Sequence, residues 1–202
     1  MKYAIVNGVK TEAAPGTKGA CPACGSEMTP KCGPKVMHHW AHRINQACDT
    51  WWENETPWHR AWKNHFPKER QEVVQWDPQT SEKHIADIQT GSGLIIEFQH
   101  SKLSEAERIS RESFYGHMMW IVDGSRLKRD YERFKNGIEL LHKTNKKGVF
   151  IVDDPVHLFH PDWLNNAVDV IFDFKGEQVL DQSNDLRNHL FCLLKKRTCR
   201  KF

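Results

Sequence analysis

The segment Lys83-His84-Ile85-Ala86-Asp87-Ile88, then Thr90-Gly91-Ser92-Gly93, then Leu94-Ile95-Ile96-Glu97-Phe98-Gln99, decides how this chain is read. Both flanks are apolar runs with β-branched residues, and the Thr-Gly-Ser-Gly between them is turn chemistry, so the whole predicts a β-hairpin. Each arm holds one acid inside its apolar pattern, Asp87 in the first and Glu97 in the second. A carboxylate within a buried strand is costly unless a cation or hydrogen bonds compensate it. Two acids set side by side by one hairpin repel, and a divalent metal is the usual remedy. The plainer alternative has one acid facing solvent, or both paired with Arg or Lys.

Upstream, Thr56-Pro57 is an N-cap followed by proline at the first helical position, which predicts a helix over 58–66 stopped by Pro67. His59 and Lys63 lie four apart and share a face of that helix, with Glu55 just before the cap. Glu72-Val73-Val74-Gln75-Trp76 predicts a strand and Asp77-Pro78 a turn. Downstream, Ser104 caps a second helix with Glu107 completing a capping box. This helix runs to about Tyr115 and places Arg111 and Tyr115 on one face. Met118-Met119-Trp120-Ile121-Val122 is a buried strand ended by Asp123-Gly124. The order is helix, three strands, helix, strand, and the strand–helix–strand crossover demands a mixed sheet with at least one parallel pair.

Toward the N-terminus, Tyr3-Ala4-Ile5-Val6 reads as a strand closed by Asn7-Gly8, a hairpin-turn dipeptide. Residues 15–49 are rich in Gly, Pro, Cys and His and poor in aliphatics, so they cannot build a hydrophobic core of their own. Cys21-Pro22-Ala23-Cys24-Gly25 is a zinc-knuckle turn, with two thiols aimed at one metal and a glycine that lets the backbone turn beneath them. His38-His39-Trp40-Ala41-His42 supplies a second ligand pair, His39 and His42 being favoured and Cys32 and Cys48 spare candidates. A Cys-x-x-Cys redox pair normally opens a helix after a strand, a setting these Gly and Pro residues do not suit.

The length of 202 residues fits one domain with a small appendage, divided as a zinc-binding segment over 1–50 and a main domain over 51–202. Hydrophobic content of 39% and charged content of 27% suit a globular fold. No run approaches the ~20 apolar residues of a membrane span, and the first residues lack a signal peptide's apolar region. The sequence therefore predicts a cytoplasmic protein without a membrane partner, whose six cysteines are thiols or metal ligands. A net charge of +3 is compatible with nucleic acid. Beyond residue 125, an amphipathic helix is predicted over 130–142, strands over 148–152 and 168–174, and a helix over 184–195. The tail over 195–201 holds five basic residues and no acid.

Taken together, these pieces resemble the competence protein CoiA-like family of predicted nucleases, placed in the PD-(D/E)XK or restriction-endonuclease-like superfamily. The resemblance spans 21–124 and rests on an ordered set of short matches. These are Cys21-Pro22-Ala23-Cys24, His39-Trp40-Ala41-His42, Glu55-Thr56-Pro57 with His59 and Lys63, Ala86-Asp87-Ile88, Ile96-Glu97-Phe98-Gln99 with Ser101, and Arg111 with Tyr115. It implies a mixed α/β (α+β) restriction-endonuclease-like core, a mixed sheet flanked by helices, with a small N-terminal zinc-binding appendage. It implies that Asp87 and Glu97 hold the metal, that Glu55 completes the acidic cluster, and that Gln99 stands where many relatives carry lysine. Oxygen ligands suit magnesium or manganese for the catalytic metal, while Cys21, Cys24, His39 and His42 would hold a structural zinc. Ala86 replaces the superfamily's proline, and since Gln99 cannot be a cation, Lys63 or His59 is the candidate source of positive charge. The expected activity is divalent-metal-dependent hydrolysis of DNA, with the Arg111/Tyr115 face bordering the site as its DNA-binding part, Arg111 contacting a phosphate or orienting an acid, Tyr115 alternatively a core residue, and with a homodimer allowed. The competing expectation is a decayed nuclease fold that binds nucleic acid without cutting it.

Overall fold

The computed structural model describes residues 1–43 and 48–195, and the chain divides into two compact units, Met1–Ile96 and Glu97–Phe202. In the first unit, β1 (Tyr3–Val6) and β2 (Val9–Glu12) form the predicted hairpin, with Asn7 at φ 49° and Gly8 at φ 77° supplying its left-handed turn. β3 (Gly19–Ala20), β4 (Glu27–Lys31) and β5 (His39–His42) complete an antiparallel sheet of order β2-β1-β3-β4-β5. Its core is small: Met1, Ala4, Ala13, Cys21, Met28 and Trp40. Gly19 is required there, because a Cβ would lie 2.9 Å from the Ala4 Cβ and 3.1 Å from the Trp40 ring.

The same unit continues into α1 (Pro57–Lys63), whose cap Thr56 accepts a 3.2 Å hydrogen bond from the His59 amide. Proline at the first helical position and Pro67 beyond its end bound this short helix as predicted. β6 (Gln71–Trp76) runs antiparallel to β7 (Lys83–Gln89), which pairs in turn with β8 (Ile95–Gln99) through Ile88↔Ile96 and Gln89↔Ile95. β8 begins in the first unit and ends in the second. The turn closes as expected, the Gly93 amide donating to the Thr90 carbonyl at 3.1 Å. The units divide after Ile96, where the sequence suggested residue 50. The reason is long-range: the Glu72 carboxylate of β6 accepts the Lys2 and Tyr3 amides at 2.7 and 2.9 Å, and Lys10 Nζ donates to the Gln71 carbonyl, tying 51–96 to the first strands.

The second unit contains α2 (Glu105–Tyr115), β9 (Met118–Asp123), α3 (Lys128–Gly137), β10 (His142–Lys143), β11 (Phe150–Ile151), β12 (Asp169–Asp173) and β13 (Phe191–Leu193). Ser104 caps α2 by accepting from the Glu107 amide at 3.2 Å, while the Glu107 side chain turns to Arg111. The parallel pair required by the crossover is β9 with β12, from Met119↔Asp169 to Asp123↔Asp173. The helix predicted over 184–195 is absent: one 3-10 turn, Leu186–Asn188, is followed by β13, antiparallel to β12. Tertiary packing overrides local propensity there, because as a strand residue Phe191 packs its ring 4.2 Å from that of Phe134, tilted against it. Beyond Lys195 the basic tail lies outside the described residues. The fold is thus mixed α/β, with sheets and three α-helices among the described residues, none long and apolar enough to cross a membrane.

Candidate functional site: a Cys/His cluster and a lysine-centred acid cluster

The knuckle turn forms as its residues require. The Gly25 amide donates to the Cys21 carbonyl at 2.9 Å, and Gly25 adopts φ 74°. One donor atom from each of Cys21, Cys24, His42 and Cys48 gathers within 4.8 Å of all the others. Cys24 Sγ lies 3.4 Å from His42 Nε2 and Cys21 Sγ 3.6 Å from Cys48 Sγ. Cys48, a spare candidate in the sequence, thus takes the place favoured for His39. The cause is strand geometry: on β5, residues three apart point to opposite faces, so His39 and His42 cannot aim at one point. His39 instead places Nδ1 2.9 Å from the Met37 carbonyl, and Cys32 packs against the small core.

Burial pushes the Cys21 and Cys48 thiols up. Burial acts the same way on Cys24, yet hydrogen bonds with Ser26 and His42 outweigh it and bring that thiol down to about 6. Three thiols and one imidazole within this radius suit a tetrahedral zinc. A zinc held there would have all four positions filled by protein and none open to substrate water, the pattern of structural sites. Metal held there stabilises a segment whose own core is slight.

The second cluster belongs to α1, β6 and β7 of the same unit. Lys63 Nζ lies 3.3 Å from Glu55 Oε1, 2.9 Å from Glu72 Oε1 and 3.2 Å from Asp87 Oδ1. His59 Nε2 is 2.9 Å from the same Asp87 oxygen, and Arg60 pairs with Glu55 Oε2. The i, i+4 spacing predicted on α1 thus delivers His59 and Lys63 to one carboxylate. Burial would strip the charge from Lys63, but Glu72, Asp87 and Glu55 hold its pKa above the usual lysine value. Burial likewise opposes ionisation of Glu72, and the Lys63 charge with the Lys2 and Tyr3 amides wins, setting it at about 2. Glu55 is held below the usual carboxylate range against burial, chiefly by Lys63 and Arg60.

Sequence reasoning missed Glu72, reading it only as a strand residue. It adopts φ 45°, a backbone state costing roughly 1–2 kcal/mol for a residue with a Cβ. Glu72 and Asp87 lie between the bridged pairs Gln71↔Ile88 and Val73↔Ala86. Its available signal was an acid at the head of an otherwise apolar strand, the same pattern that singled out Asp87.

In the second unit, Glu97 is 5% exposed and Gln99 1%, where an acid and an amide in a strand were expected to have partners. Arg111 Nη1 lies 3.4 Å from Glu97 Oε2, Arg111 Nη2 2.5 Å from Glu107 Oε1, and the guanidinium stands 5.9 Å over the Trp120 ring. Arg111 therefore pairs with both acids. Gln99 Nε2 donates to the Ser101 carbonyl and hydroxyl at 3.2 and 3.1 Å. Tyr115, half-buried at the end of α2, packs edge-on to Phe114 at 5.2 Å.

Residues 12–50 match the family model for competence protein CoiA, N-terminal domain, a span that contains all four members of the Cys/His cluster. No curated protein and no solved structure matches the chain. Residues 12–50, the segment that carries the Cys/His cluster, are thus similar to the N-terminal domain of competence protein CoiA.

Proposed function

We propose that this protein is a divalent-metal-dependent deoxyribonuclease of the PD-(D/E)XK type, built on a restriction-endonuclease-like core and working in the cytoplasm. The observation that carries this reading is the convergence of Glu55, Glu72, Asp87, His59 and Lys63 from three elements, since buried, strongly coupled ionisable groups concentrate where chemistry is done. Asp87 and Glu97 are the acids that would hold the metal; in the chain they adjoin Ile88 and Ile96, which pair in the ladder. Their carboxylate oxygens are the donor type that magnesium and manganese accept. Such a metal, when bound, lowers the pKa of a water and stabilises the oxygens of a phosphodiester undergoing displacement.

The chain's own residues do the rest. Lys63 supplies the positive charge that Gln99 cannot, next to Asp87 and within the acid cluster. His59 is placed to hold a proton at Nε2 beside the Asp87 oxygen. Arg111 fixes the Glu97 carboxylate, and the Gln99 amide is held by Ser101. The test is cleavage of single- and double-stranded DNA with magnesium, manganese or EDTA. Wild type should cut with either metal and not with EDTA, while Asp87→Asn and Glu97→Gln should be inactive yet folded by circular dichroism. A non-catalytic DNA-binding module is the second reading, and one observation favours it: Lys63 already balances the acids from within the chain. DNA retention without cleavage under every metal condition selects that reading.

A further inference from the structure

We propose that Asp49 is a positioning residue that links metal occupancy of the Cys21/Cys24/His42/Cys48 site to the placement of strand β7. This goes beyond the nuclease reading and stands whether or not Asp87 is catalytic. Asp49 directly follows Cys48 in the chain and is 8% exposed. Its Oδ2 accepts the Ile85 amide of β7 at 2.8 Å, and its Oδ1 accepts the Trp51 amide at 2.9 Å and lies 2.8 Å from His84 Nδ1. Buried carboxylates with several short partners fix position sharply, because losing one bond leaves a desolvated charge.

The β7 side of the contact is equally constrained. His84 is 3% exposed, its Nε2 lies 2.8 Å from Glu82 Oε1, and the Trp51 ring stacks on its ring at 3.2 Å. A second contact runs through apolar packing: Ile85 and Cys48 both lie against the small core of Ala4, Cys21, Met28 and Trp40. Metal bound at the cluster fixes the Cys48 sulfur, and one peptide link later the Asp49 carboxylate is fixed with it. The arrangement at β7 and the arrangement at the metal are then two ends of one rigid connection. Such coupling is reciprocal: whatever metal does to β7, the Asp49–His84 contact does to metal affinity.

The experiment uses the full chain with zinc as the probe. Zinc affinity is measured by chelator competition for wild type, Asp49→Asn and His84→Gln, and amide hydrogen exchange is followed in zinc-loaded and chelated wild type. Affinity should fall on the order of 10-fold in each variant, the size of effect typical of residues that orient metal ligands. Chelation should speed exchange of the Ile85 amide and its β7 neighbours while α2 exchanges as before. Unchanged affinity in both folded variants overturns the proposal, as does exchange in β7 that ignores zinc or rises uniformly over the chain. A variant that fails to fold leaves the wild-type exchange result to decide. Nuclease activity enters none of these readouts, so failure here and failure of the nuclease reading are separate results.

Discussion

The Cys/His cluster and the Lys63 cluster both bring donors from several elements to one point, but they reach electrical balance in opposite ways. In the first, burial pushes the Cys21 and Cys48 thiols up while Cys24 is brought down, and the full thiolate set forms only against a cation supplied from outside. In the second, Glu55, Glu72 and Asp87 are balanced by Lys63 and Arg60 of the chain itself. The difference teaches where each cluster's stability resides. One is conditional on metal, and the other is carried by the fold. Acids on neighbouring strands therefore need not await a metal for charge balance here, because Asp87 already has His59 and Lys63.

The comparison can be broken most forcefully at the metal-dependent end. Cys24→Ser should lose the bound zinc, about one per chain, and with it folding free energy on the order of 10 kcal/mol at the N-terminal sheet. Metal analysis and near-ultraviolet circular dichroism read this out, and a zinc-free wild type with an intact sheet would remove the contrast between the clusters.

Lys63→Met comes next. It removes the cation shared by buried Glu72 and half-buried Glu55 and Asp87, and should cost about 3–5 kcal/mol in denaturant unfolding. Zinc content should not change. If the variant is as stable as wild type, the acids are balanced by something other than the chain's own lysine.

The pH dependence sharpens the same point. The folded pKa of Glu72 is about 2 against an ordinary value of 4.5, so its contribution to stability is fully present above 4.5. It is lost as pH falls from there toward 2, an effect of roughly 3 kcal/mol. In Glu72→Gln that part of the acid limb of the stability curve should flatten. An acid limb identical to wild type would show that Glu72 is not held ionised by Lys63.

The smallest effect is expected at Thr56, whose hydroxyl caps the helix that carries His59 and Lys63. Thr56→Ala should cost about 1 kcal/mol in thermal or denaturant unfolding without altering zinc content. A loss of zinc in that variant would mean that the two clusters depend on each other more than their separate charge balances suggest.

What could be read in the sequence rests on spacing over a few residues. Cys21-x-x-Cys24-Gly25 specifies a knuckle because thiols at that interval reach one point across a glycine turn. Thr56-Pro57 and Ser104 specify helix starts because their hydroxyls satisfy amides three residues on. The hairpin about residues 90–93 and the placement of His59 with Lys63 on one helical face follow from the same local arithmetic. Other features belonged to tertiary structure. Cys48 joined the cluster and His39 did not, since alternation on β5 sends His39 and His42 to opposite faces. Glu72 became a partner of Lys63 through contacts with Lys2 and Tyr3, some seventy residues away in the chain. Residues 191–193 became a strand because Phe191 gains more by packing on Phe134 beside β12 than a short surface helix would give it. Local spacing determines turns, caps and ligand pairs, because their hydrogen bonds close within a few residues. Which distant side chain completes a site is settled only when packing brings the elements together.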